Sequence, residues 1–274
     1  CGIGRARVVT DVAVAQHSSL TQPVCTRRQR MPDGRQDGGA RFSIPRSRQA
    51  QHFSCKSPVC RYIHYILDKM ENTLPRSHPF DYALAMASLV RYAAPRDRLR
   101  RLCRAGEVRR VRKGLYVRLV DGVSGVDPLV HSGLVYGPSY VSRETALALH
   151  GMIPERVEEV TCMTTGRDKV FATPEGRFAY RLMPRAAFAL GIGLAEAPGG
   201  TYFLAGPEKA LCDRIAQVRG LADPSEVGSW LEDDLRVNPG GLDGLDAALV
   251  ARIAAAYGRR NVRALARWLE RGRR

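Results

Sequence analysis

The sequence predicts an α+β protein behind a long N-terminal tail, and three observations carry that expectation. Residues 96–118 run from a short amphipathic helix pattern into a basic hairpin pattern with Gly114 at its tip. Behind them, stretches dense in β-branched and aromatic residues alternate with helical periodicity to the end of the 274-residue chain. In front, residues 1–69 are rich in Arg, Gln, Ser, Pro and Gly and lack sustained periodicity before 62–67.

The tail is expected to be disordered, because that composition buries too little apolar surface to offset ordering. The chain begins with Cys, and Met70 is the first Met followed by well-patterned sequence. The expectation is that residues 1–69 are translated upstream sequence and that folding starts near Met70. His52, Cys55, Cys60 and His64 could ligate zinc in principle, but their spacing matches no finger closely, and incidental Cys and His are the preferred reading.

Residues 70–120 read as a compact helical and hairpin unit. Asp81 can cap a helix with Tyr82, Met86, Leu89, Val90 and Tyr92 or Ala93 at helical spacing, and Pro95 stops or restarts it. In 96–104, Leu99, Leu102 and Cys103 form one stripe opposite Asp97, Arg100, Arg101 and Arg104. Gly106 suits the left-handed position that ends a helix. Strands over 107–112 and 115–118 meet through Lys113 and Gly114, with Val108, Leu115 and Val117 available for packing. That order is the reading half of a winged helix-turn-helix.

Charge points to the partner. The net charge is +16, and residues 96–118 hold ten Lys or Arg against Asp97 and Glu107. The tail carries another +8 and the rest of the chain sums close to neutral. Clustered charge on a small rigid element suits phosphate neutralisation and counterion release, so double-stranded DNA is the first partner to expect. Arg100, Arg101 and Arg104 are candidates for reading guanine edges in a major groove. Arg96, Arg98, Arg109, Arg110, Arg112 and Lys113 complete the candidate DNA-binding set, the hairpin residues lying along the backbone. A basic helix face is often merely solvated; a basic hairpin directly after a basic helix favours DNA.

The Gly-rich stretch 121–127 is the expected boundary before a second domain over 127–274. Ser142 can cap a helix over 143–150, with Gly151 closing it. Residues 157–165, 178–183 and 202–205 read as strands. Pro207 and Glu208 open a helix with Ala210, Leu211, Ile215 and Val218 inward, ending at Gly220. Helices are expected over 225–235, 245–257 and 262–271. The longest apolar run near 83–90 is too short to span a bilayer, so a soluble, cytoplasmic protein without membrane contact is expected. Cys103, Cys162 and Cys212 sit in apolar patterns, which argues against a disulfide framework.

Three blocks carry a family resemblance: Arg-Lys-Gly-Leu-Tyr-Val at 112–117; Tyr-Gly-Pro-Ser-Tyr-Val-Ser-Arg-Glu-Thr-Ala-Leu-Ala-Leu-His-Gly-Met-Ile-Pro-Glu-Arg-Val at 136–157, with Val-Thr-Cys-Met-Thr-Thr at 160–165; and Ala-Gly-Pro-Glu-Lys-Ala-Leu-Cys-Asp at 205–213. In order and spacing, from about 80 to 220, the chain resembles the AbiEi-type antitoxins of type IV toxin-antitoxin systems. The resemblance implies a winged helix that represses the antitoxin-toxin operon, and a second domain that helps antagonise a nucleotidyltransferase-like toxin. No cofactor and no metal are expected. Within the blocks, Tyr136, Tyr140 and Arg156 could face a partner or fill half-buried roles, and His150 reads as a capping or packing residue.

Two other functions compete. One is a plain winged-helix regulator whose second domain senses a ligand or dimerises. The other is a nucleic-acid-processing enzyme, for which Glu208, Lys209 and Asp213 are the nearest constellation. Glu208 and Lys209 point about 100° apart on a helix and Asp213 lies a turn further on, so they are not expected to converge. No phosphate loop, nucleophile elbow or metal-ligand helix motif is present, and a non-enzyme is expected.

Overall fold

The computed structural model describes residues 74–155 and 157–272. The tail with its Cys and His, and Arg156, lie outside these residues. The described chain is mixed α+β with two sheets.

The first layer is small. Strand β1 (Phe80–Asp81) leads into helix α1 (Tyr82–Ser88), where the Asp81 carboxylate accepts from Leu84 N at 2.7 Å as the sequence predicts. The helix ends seven residues later, and Ala85, Ser88 and Leu89 are buried while Tyr82, Val90 and Tyr92 stay exposed. The apolar stripe expected from Tyr82 to Tyr92 therefore turns only in part toward the core. Pro95 starts helix α2 (Pro95–Arg104), which buries Leu99 and Leu102 and stops before Gly106 at φ +73°. Strands β2 (Val108–Arg112) and β3 (Leu115–Val120) form the expected hairpin, and β1 pairs antiparallel with β3 on its other side.

The boundary stretch contains structure of its own. Strand β4 (Val123–Ser124) pairs with β3, and helix α3 (Pro128–Val135) follows at once, capped by Asp127. Six strands make the larger sheet: β5 (Ser139–Val141), β6 (Glu159–Thr164), β7 (Lys169–Thr173), β8 (Gly176–Leu182), β9 (Ile192–Ala197) and β10 (Gly200–Ala205), in spatial order β7-β8-β6-β5-β10-β9. Two pairs, β6 with β8 and β5 with β10, are parallel.

Register assigns the faces. Tyr180 of β8 sits across from Cys162, and Tyr140 of β5 sits across from Met163; neighbouring strand residues point to opposite faces. Tyr180 accordingly reaches α3, donating to Ser132 O at 2.7 Å. Tyr140 points to the opposite face, where helices α4 (Arg143–Leu149) and α5 (Pro207–Ile215) pack.

Behind α5 come α6 (Pro224–Ser229), a π-helical turn (Trp230–Asp234), α7 (Ala247–Tyr257) and α8 (Arg260–Gly272). The helix expected over 225–235 is present as one continuous segment that passes from α- to π-helical at Trp230. Three expectations change. Ser142 does not cap α4, because its hydroxyl is committed to Asp213. Helix α5 ends at Ile215, short of Gly220. Strands β7 and β9 and helix α3 occupy stretches without a sequence assignment.

The two cores share the hairpin. Leu74, Phe80, Ala85, Leu89, Leu99, Leu102 and Val108 form the smaller core. Val111, Leu115 and Val117 join the larger one, because alternate residues of β3 face opposite sides. Cys103, Cys162 and Cys212 are free thiols. No described helix is long and apolar enough to cross a membrane.

Candidate nucleic-acid interface

Helix α2 presents its arginines on one side. At about 100° per residue, Arg96, Arg100, Arg104 and Arg101 span an arc of roughly 140° opposite Leu99 and Leu102, and all four are exposed. Asp97 is the one carboxylate on that arc. Its Oδ1 lies 3.5 Å from Arg100 Nη1 and its carbonyl accepts from Arg101 Nε at 3.4 Å. Exposed pairs of this kind contribute little and leave the cations available.

Arg98 belongs to a different surface. It is half-buried, lies over the Tyr92 ring at 5.2 Å, and lines a cavity of about 120 Å³ with Leu89, Leu102 and Arg118. Its Nε is buried and has no hydrogen-bond partner among the described residues.

The hairpin divides its cations in the same way. Arg110 and Lys113 are exposed. Arg109 Nη1 meets Glu175 Oε1 at 3.0 Å and Nη2 donates to Gly122 O at 3.1 Å. Arg112 stacks over the Phe171 ring at 5.0 Å and donates to the Val135 carbonyl. A bulge explains Arg112: the register runs Arg110 to Tyr116 and then Arg112 to Leu115. The extra residue carries Arg112 onto the face of Leu115, toward the larger sheet. Of the nine residues in the candidate set, Arg96, Arg100, Arg101, Arg104, Arg110, Arg112 and Lys113 are exposed, and Arg98 and Arg109 are half-buried. Arg98, Arg109 and Arg112 are engaged with protein. Sequence spacing could not show this, because the second face of the hairpin is defined by a partner more than sixty residues away.

The acidic constellation departs from expectation. Lys209 and Asp213 stand one helical turn apart and do meet, Nζ to Oδ1 at 3.1 Å, with neither side chain exposed. The i, i+4 spacing places them on one face of α5. Asp213 Oδ2 also accepts from Ser142 Oγ at 2.6 Å and Tyr140 Oη at 2.8 Å, and Oδ1 accepts from Tyr257 Oη. Lys209 Nζ donates to Ala187 O at 2.8 Å and lies over the Tyr257 and Tyr140 rings. Burial, then the Asp213 charge, push both tyrosine hydroxyls well above their usual range, so they act as neutral donors.

Glu208 is separate from this network, accepting from Asp246 N at 3.0 Å at the start of α7. The network joins β5, α5 and α7, and neither side chain of the Lys209–Asp213 pair is exposed to solvent.

Of the other residues in the resemblance blocks, Tyr136 is half-buried, its hydroxyl accepting from Arg167 N at 3.1 Å. Tyr140 is buried in the network just described. His150 caps the C-terminus of α4 and its Nε2 lies 2.8 Å from Ala205 O, a packing and bridging contact. Among the described residues, no group of three or more His, Cys, Asp or Glu is placed to hold a metal ion. No protein-family model matches the chain, and no curated protein matches it significantly.

Proposed function

We propose that this chain is a DNA-binding regulator of the AbiEi antitoxin type, in which α1, α2 and the β2–β3 hairpin act as a winged helix-turn-helix on operator DNA. The observation that carries this reading is the exposed arginine arc of α2, with its opposite face anchored by Leu99 and Leu102. A rigid helix with four solvent-exposed guanidinium groups, two of them only weakly held by Asp97, can enter a major groove and pair bidentately with guanine. Arg110 and Lys113 at the hairpin tip fix register on the phosphates.

Repression of its own operon and antagonism of a nucleotidyltransferase-like toxin follow from the resemblance in the three sequence blocks. Under this reading the second domain acts by contact or packing rather than by catalysis, since neither side chain of its Lys209–Asp213 pair is exposed. A regulator that dimerises without a toxin partner is favoured by one observation, the exposed apolar side chains of Leu134, Leu194 and Phe203 around a shared groove.

Co-expression with the neighbouring gene tests the proposal. The antitoxin reading expects the full chain to rescue growth against a toxic neighbour and an α2 arginine variant to lose repression of the operon. Repression without any rescue supports the dimerising regulator. Neither effect would contradict both.

A further inference from the structure

Near neutrality of the chain behind the hairpin conceals a separation of charge. Residues 119–258 hold eighteen Asp or Glu against twelve Lys or Arg, whereas residues 259–274 hold seven Arg against Glu270 alone. Helix α8 organises part of that excess into a ridge.

Arg260, Arg263 and Arg267 fall within roughly 60° of one another around the helix and span about 10 Å along its axis. All three are exposed. Among the described residues none of them forms an ion pair, and their one side-chain hydrogen bond is from Arg263 Nη2 to Gly258 O at 2.9 Å. Arg271 continues the line beside Asp223, and Glu270 stands at its edge.

The ridge is held firmly from behind. Val262, Leu265, Ala266 and Leu269 are buried, and Asn261 Nδ2 donates to Ile215 O at 2.6 Å and Val218 O at 2.9 Å. A shallow hollow floored by Ala251, Ala254 and Ala255 runs beside Arg263 and Arg267, so no bulky side chain crowds the approach.

We propose that α8 is a second nucleic-acid contact, a sequence-independent phosphate-binding surface distinct from the groove-reading helix α2. Its length matches about three phosphates on one strand of a duplex. Planar guanidinium groups suit phosphate oxygens. Nothing on the ridge is arranged to read base edges, so its contribution is affinity and salt dependence without selectivity. This inference rests on the DNA-binding reading above.

The test uses the full chain with R260A/R263A/R267A, the matching triple Arg→Lys variant, and R100A/R101A/R104A, titrated on the upstream region of its own gene and on a scrambled duplex across a salt series. The Ala triple on α8 is expected to flatten log affinity against log salt by about 2 to 3, equally on both duplexes. The Lys triple is expected to restore the slope, and thermal melting to show all three variants folded. The α2 variant is expected to lose discrimination between duplexes. If the α8 Ala triple keeps the wild-type slope, the α8 assignment is overturned, and the ridge then answers to an acidic protein surface instead. If wild-type chain binds neither duplex, both readings fall; if discrimination survives the α2 change, the α2 reading falls alone.

Discussion

Arg109 of the hairpin and Glu175 of the turn between β7 and β8 form an ion pair, Nη1 to Oε1 at 3.0 Å, with the carboxylate only 6% exposed. A residue whose sequence context marks it for DNA is thereby committed to holding the hairpin against the larger sheet. Replacing Arg109 with Ala leaves Glu175 without its cation in a nearly closed site. The expected result is a loss of about 1–3 kcal/mol in urea unfolding, with DNA affinity at fixed salt changed less than by Arg110→Ala. A stable Arg109→Ala chain with sharply weaker DNA binding would reverse the assignment.

Among the described residues, Lys209 is the single cation that the Asp213 network contains. Lys209→Met strands a buried carboxylate and is expected to cost about 3–5 kcal/mol. The double change K209M/D213N removes the charge and is expected to recover part of that loss. Denaturant midpoints of the two single changes and the double measure this coupling; strict additivity would show that the pair does not interact.

His131 on α3 supplies a pH dependence. The imidazole is fully buried, and among the described residues neither ring nitrogen has a hydrogen-bond partner. Burial lowers its pKa below 6.5, partly opposed by the Glu175 and Asp127 carboxylates. Between the folded value and 6.5 the unfolded chain binds more protons, so stability rises with pH through that window. Below 6.5 it falls, and it levels off beneath the folded value. Urea midpoints at pH 7.5 and pH 5.5 are expected to differ less in His131→Phe than in the wild-type chain; parallel pH profiles would remove His131 from the account.

Much of the first layer was legible because its signals are local. Asp81 caps a helix, Pro95 starts one, and Gly106 and Gly114 adopt positive φ at a helix end and a hairpin tip, each dictated by its own backbone geometry. Helix α3 was missed although Asp127 and Pro128 mark its start, since eight residues with Gly133 inside carry little periodicity. The edge strands β7 and β9 are short and alternate weakly, with Gly193 and two alanines in β9.

The candidate site was half legible. The exposed arc of α2 follows from spacing alone. The fates of Arg109 and Arg112 depend on a bulge and on partners distant in sequence, and the meeting of Lys209 with Asp213 follows from an i, i+4 spacing that the sequence reading misjudged. Ser142 shows the same limit: a local cap was expected, but a buried carboxylate seventy-one residues away takes its hydroxyl.

The central claim is that the α2 arginines read DNA. Its most direct measurement is the ratio of affinities of wild-type chain and R100A/R101A/R104A for the upstream region of its own gene against a scrambled duplex, at one fixed salt concentration. The account predicts that wild-type chain prefers its own upstream duplex by at least about tenfold and that the variant binds both duplexes alike. A variant that retains the full preference, or a wild-type chain that shows none, would contradict it.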